Sequence, residues 1–223
     1  MTETTSSPQS ELFGQPKGLF ILFFTEMWER FGYYLMLGIL LLYLKDPKGG
    51  FGFDNKEAAD IVGTYLGLVY LTPFLGGLIA DKILGYRKSI IIGGLLMSAG
   101  YFCLAFPSIE IFWLAVVLIV VGNGFFKPNI STLLGNLYST PENKSLKDSG
   151  YNIFYMGINL GAFVCNFVAA YMRNEYGWGY AFGAAGVGML LGIVWFIAGS
   201  KHVKHADIMK PANPEDMSVS KVM

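Results

Sequence analysis

Charge is scarce in this chain. Only 14% of its 223 residues are Asp, Glu, Lys or Arg, against about 25% in an ordinary soluble domain. Acidic and basic residues balance at 16 each, so no basic surface is directed at nucleic acid. Cysteine and histidine number two apiece. Cys103 and Cys165 lie in apolar runs and read as small core residues; they form neither a disulfide framework nor a metal set. His202 and His205 make an HxxH, but in a polar terminal stretch that reads as a solvated tail. HExxH and GxSxG are missing, and no apolar run contains a histidine. An intramembrane enzyme is therefore not expected, nor a cofactor or a metal. Residues Met1 to Pro16 lack the short apolar core of a cleaved signal peptide.

Apolar residues take the place of charge. They make up 53% of the chain, and the mean hydropathy is +0.47. Six stretches are long enough to cross a hydrocarbon core of about 30 Å at about 1.5 Å per helical residue. They run from Gly18 to Leu44, Ala58 to Ala80, Lys88 to Phe106, Ile109 to Leu134, Tyr151 to Met172 and Gly179 to Gly199. Lipid offers backbone groups no outside partner, so each should be a helix. The expected fold is an all-α integral membrane bundle over residues 18–200. A tail (1–17) precedes it, and a polar segment (201–223), a tail or the start of a linker, follows.

Orientation follows from the positive-inside rule. With the N-terminus inside, the cytoplasmic cations are Lys17, Lys82, Arg87, Lys88, Lys144, Lys147, Lys201, Lys204, Lys210 and Lys221. The outside set is only Lys45, Lys48, Lys56 and Arg173. Both termini are thus expected in the cytoplasm, and the protein in the plasma (inner) membrane. Pro73 and Pro128 sit inside expected helices, where each removes a backbone hydrogen bond. Gly157 and Gly161 form a GxxxG pair of the kind that lets membrane helices approach closely.

Against this apolar background, "FTEMWERFGYYL" (Phe24 to Leu35) stands out. Glu26, Glu29 and Arg30 fall at i, i+3 and i+4, on one helical face. An ionisable group inside a span costs about 2.5 kcal/mol or more at the bilayer centre and is by default a functional hypothesis. Lys127 lies well inside the fourth span. It is positioned to pair with Glu29 or Glu26 if the two helices face each other. Two acids and two bases in one low-dielectric space have coupled protonation. Moving a cation away from an acid changes its proton affinity, which links a proton to a conformational change. Tyr33, Tyr34, Tyr70, Asn123, Asn129, Asn152 and Asn159 accompany these charges as candidate cavity groups.

Four motifs in order resemble the proton-dependent oligopeptide transporters of the major facilitator superfamily. "ExxERF" runs from Glu26 to Phe31 and is followed by Tyr33 and Tyr34. "GGLIADKILGYRK" runs from Gly76 to Lys88. "GNGFFKPNIS" spans Gly122 to Ser131 and contains Lys127. "FYMGINLGA" spans Phe154 to Ala162 around Asn159. The resemblance covers the N-terminal six-helix half of a fold that normally has two such halves.

The resemblance implies roles for matching residues. Glu26, Glu29, Arg30 and Lys127 would couple to protons. Tyr33, Tyr34, Tyr70, Lys127 and Asn159 would bind peptide, and Asp81, Arg87 and Lys88 would serve a cytoplasmic gate. Implied partners are protons, small peptides, the lipid bilayer and a second six-helix half, in the same chain or a partner copy. One departure stands out: Leu37 occupies the position, seven residues after the motif arginine, where the family often has Arg or Gln. The expected function is proton-coupled symport of di- and tripeptides. The alternatives are a half-transporter, a non-transporting assembly or sensing bundle, or a carrier of nitrate, amino acids or drug-like cations.

Overall fold

The computed structural model describes residues 11–209; Lys210 and Lys221 of the charge count lie outside them. Six α-helices are present among the described residues: α1 (Lys17–Lys45), α2 (Asn55–Ile79), α3 (Tyr86–Cys103), α4 (Ile109–Leu137), α5 (Lys147–Tyr176) and α6 (Trp178–Gly199). A five-residue π-helical turn (Ala80–Leu84) prolongs α2. Local chemistry sets several ends. The Asp54 carboxylate accepts the Lys56 and Glu57 amides at 2.8 Å each and starts α2 three residues before the apolar run does. Ser108 caps α4 by accepting the Ile111 amide. α4 and α5 outlast their apolar cores because a helix stops at its cap, not where hydropathy falls.

Among the described residues, four segments are long and apolar enough to cross a membrane: Asn55–Leu84, Ile109–Leu137, Lys144–Tyr176 and Trp178–His202. Of the other two helices, α1 carries the Glu26–Glu29–Arg30 cluster and α3 carries Arg87 and Lys88 in its first turn. The helices pack as an arc in the order α2, α4, α3, α6, α1, α5. α2 rests mainly on α4, and α5 mainly on α1, so one side of the bundle lies open between α2 and α5. Large apolar side chains stand exposed on both, including Leu71 and Phe74 of α2 and Met156, Phe163 and Phe167 of α5.

Small residues bring backbones together at the main contacts. At Gly76 an added Cβ would run into the Gly124 carbonyl of α4, whereas at Gly77 it would meet the Pro128 ring at an ordinary 3.6 Å. Backbone cannot move aside as a flexible side chain can. Gly76→Ala is therefore expected to push α2 off α4 and lower stability by about 1–3 kcal/mol, while Gly77→Ala stays near wild type. Thermal unfolding of both variants in detergent checks this; equal midpoints would refute the close approach. The GxxxG pair has the same role on α5. An added Cβ would meet the Phe23 carbonyl at 3.0 Å from Gly157 and the Met27 carbonyl at 2.3 Å from Gly161. α5 thereby lies directly on the α1 stretch that carries the charges.

Both flanking segments are more ordered than their polarity suggests. Residues Glu11–Leu12 and Gln15–Pro16 form a short antiparallel hairpin, β1 and β2. The Gln15 carboxamide accepts the Tyr138 hydroxyl at 2.7 Å and donates to Ser149 Oγ at 2.9 Å, tying α1's start to α4 and α5. After α6, residues 200–206 make two 3-10 turns. Val203 and Ala206 are buried there, so this stretch, which reads as a solvated tail, packs on the bundle. At the opposite end, Trp178 Nε1 donates to Asp46 Oδ2 at 2.8 Å. The Lys48 amide, with this indole, holds the Asp46 carboxyl below the usual carboxylate range.

Candidate functional site: a buried acid–arginine cluster

The charged face of α1 points into the protein. Glu26, Glu29 and Arg30 are 3%, 0% and 2% exposed, which is why one arginine has to serve both acids. Arg30 donates through Nε and Nη2 to the two carboxylate oxygens of Glu29, the paired geometry a guanidinium fork favours. Its Nε also lies 3.4 Å from Glu26 Oε1, one turn back. The rest of the guanidinium is covered by aromatic faces: its carbon sits 4.7 Å from the Tyr33 ring centroid and 5.9 Å from that of Tyr34. Such cation–π contacts strengthen when desolvated.

The two acids are held unequally. Glu29 has both oxygens engaged. Glu26 has one long contact, and its Oε2 is buried with no hydrogen-bond partner among the described residues. The cluster thus contains a firmly held acid and a loosely held one, both sharing Arg30.

Lys127 departs from the pairing read in the sequence. The ion pairs of both acids among the described residues run to Arg30. Lys127 is exposed on α4, within electrostatic reach of Arg30, Glu29 and Glu26 but in direct contact with none of them. The reason is geometric: α1 and α4 touch only lightly, and Arg30, one residue from Glu29, reaches it first. Tyr33 is buried and Tyr34 half-buried beside Arg30. Tyr70 is 79% exposed on α2, and Asn159 is exposed on α5. Tyr70 lies within electrostatic reach of Tyr33. Leu37 is half-buried and packs against the core.

Asp81 accepts the Tyr86 hydroxyl at 2.8 Å. Arg87 is half-buried and Lys88 exposed on the first turn of α3. Sequence reasoning missed the groups behind the cluster. Tyr101 of α3 and Tyr65 of α2 are fully buried, each with a hydroxyl that has no partner among the described residues. Tyr101 lies against Gly32, with its ring 3.1 Å from where a Cβ there would sit. Both rings are within electrostatic reach of Glu29. The signal of these two tyrosines is weak, because a tyrosine in an apolar run reads equally well as a core residue. Asn123, one of the candidate cavity groups in the sequence, is also buried, with neither amide atom bonded among the described residues. A separate crevice of about 630 Å³ lies beside α6, lined by Trp28, Phe31, Phe102, Gly183, Val187 and Leu191. Among the described residues, no charged side chain lines it.

A six-helix membrane bundle with these contacts and a buried charged turn on its first helix is half of a major-facilitator-type fold. Residues 87–223 match the sequence model of the POT family. The chain is 35% identical over 221 residues to a di-/tripeptide transporter of Lactococcus lactis, covering 96% of this chain and 44% of that protein. It is 45% identical over 194 residues to the uncharacterised transporter YclF of Bacillus subtilis, covering 86% of this chain and 39% of that protein. A crystal structure of a POT peptide transporter with sulfate superposes with a TM-score of 0.86 at 42% identity, over 94% of this chain and 43% of that one. Another POT family transporter, solved with 5-aminolevulinic acid, gives 0.86 at 36% identity, over 96% of this chain and 44% of that one. The chain belongs to the POT family. It spans less than half the length of these relatives.

Proposed function

We propose that this chain forms the amino-terminal half of a proton-coupled symporter of di- and tripeptides that works by alternating access in the plasma (inner) membrane, with both ends of the bundle's chain in the cytoplasm. The observation that carries the reading is the shared arginine: two buried acids depend on Arg30, and one of them, Glu26, keeps an unpartnered oxygen. Protonating that oxygen removes a negative charge from the cluster and frees Arg30 to commit fully to Glu29. The local field then changes at Lys127, which no acid holds directly. Lys127 is thereby available to a peptide carboxylate, with Tyr33, Tyr34, Tyr70 and Asn159 lining the same side. The open side between α2 and α5, with its exposed apolar side chains, suits a second six-helix half. Relatives named as di-/tripeptide transporters support the substrate class. The ten-to-four distribution of cations supports the orientation.

A second reading follows from Leu37, which places an apolar group where the family often has a charged or polar one. The substrate would then be a small amino-group-bearing solute other than a peptide, as a relative's complex with 5-aminolevulinic acid allows. Proteoliposomes under an inward proton gradient separate the readings. The full-length protein should concentrate a labelled dipeptide, and a protonophore should abolish this. Uptake indifferent to the gradient would refute coupling. Uptake displaced by amino acids but not by di- or tripeptides would establish the second reading. The 223-residue chain, reconstituted alone, shows whether this half suffices.

A further inference from the structure

The turn from α2 into α3 is fastened from a distant part of the chain. Gly85, at φ +79°, is the residue before α3. It has no side chain to cap the helix, so the first amides of α3 need an acceptor from elsewhere. Asp207 supplies it. Its Oδ1 accepts the Tyr86 amide at 2.9 Å and the Arg87 amide at 3.3 Å. A Cβ at position 85 would lie 3.5 Å from that same oxygen. A carboxylate here also meets the positive end of the helix dipole.

Asp207 is held in place by what precedes it. Val203 and Ala206 are buried, and the Ala206 carbonyl accepts Asn136 Nδ2 of α4 at 3.0 Å. The His202 carbonyl lies against Gly18 of α1, 2.9 Å from where a Cβ would be. The segment leaving α6 is thus strapped across α1 and α4 and ends on α3. The turn it caps joins Asp81, bonded to Tyr86 at 2.8 Å, to Arg87 and Lys88.

We propose that Asp207 is a positioning residue. It locks the α2–α3 turn to the segment leaving the bundle, so that movement of this segment is transmitted to Asp81, Arg87 and Lys88. The lock deepens the transporter reading by coupling those three residues to whatever the outgoing segment is attached to. In a symporter it sets the rate of the conformational cycle and leaves substrate affinity unchanged.

Hydrogen exchange on the chain in lipid nanodiscs tests the lock without reference to transport. Asp207→Ala should speed exchange at the Tyr86 and Arg87 amides about five- to tenfold, the range expected for a lost helix cap. The Val203 and Ala206 amides should loosen in the same variant. Asp207→Asn keeps an acceptor oxygen and should stay close to wild type. In proteoliposomes of the full-length protein, Asp207→Ala should lower turnover with unchanged affinity for the dipeptide, and Asp207→Asn should restore it. Unchanged exchange at Tyr86 and Arg87 overturns the lock. So does loosening confined to those two amides together with wild-type turnover, which makes Asp207 an ordinary cap. If wild-type protein moves no dipeptide but exchange behaves as expected, the lock stands and the transport reading fails.

Discussion

Glu29→Gln is expected to abolish proton-driven accumulation of peptide while leaving exchange of peptide across the membrane. The substitution keeps the shape of the side chain but removes the charge that Arg30 grips with two hydrogen bonds. Arg30 then turns wholly to Glu26, now 3.4 Å away at a single atom. Glu26 becomes a permanently paired carboxylate, and the difference between a loosely and a firmly held acid disappears. Proton binding no longer alters which acid the arginine serves. Accumulation should fall by more than about tenfold, the factor set by about 1.4 kcal/mol. Counterflow of labelled against unlabelled dipeptide, which needs no net proton movement, should persist. Retained pH-driven accumulation would refute a coupling role for Glu29.

The largest effect on stability is expected at Arg30. Arg30→Leu leaves Glu26 and Glu29 buried with no cation in contact, since Lys127 touches neither. Removing one partner of a buried ion pair typically costs about 3–5 kcal/mol. Arg30→Lys should recover only part of this, because an ammonium cannot reproduce the two-pronged contact with Glu29. A triple variant, Arg30→Leu with both acids changed to Gln, removes the charges together and should unfold close to wild type. Neutral replacement of whole buried clusters is often tolerated. Thermal unfolding of the three proteins in the same detergent measures this. If the single and triple variants are equally unstable, shape rather than charge holds the site.

The membrane class, the six apolar stretches and the exceptional character of Glu26, Glu29 and Arg30 were legible in the sequence. Each is a local property. Apolar length decides what crosses lipid, and i, i+3, i+4 spacing puts three charges on one face whatever surrounds them. The family resemblance rested on motifs that are also contiguous in the chain. Partner choice was not legible. Lys127 looked like the natural counter-ion, but Arg30 reaches both acids first and α1 barely meets α4. Nothing in the sequence separates Tyr65 and Tyr101 from core residues; only packing sets both rings within electrostatic reach of Glu29.

The polar stretch after α6 shows the same division. Its composition predicts solvation, yet burying Val203 and Ala206 and capping α3 through Asp207 order it. Asp207 and Tyr86 are 121 positions apart. No periodicity or spacing links residues so distant, and only the close packing of helices brings them to hydrogen-bonding distance. The sequence by itself determined what must lie in the membrane and which turn of which helix carries charge. The tertiary structure alone decided which charges touch, because contact depends on how closely glycine-faced helices approach and on which side of the bundle they leave open.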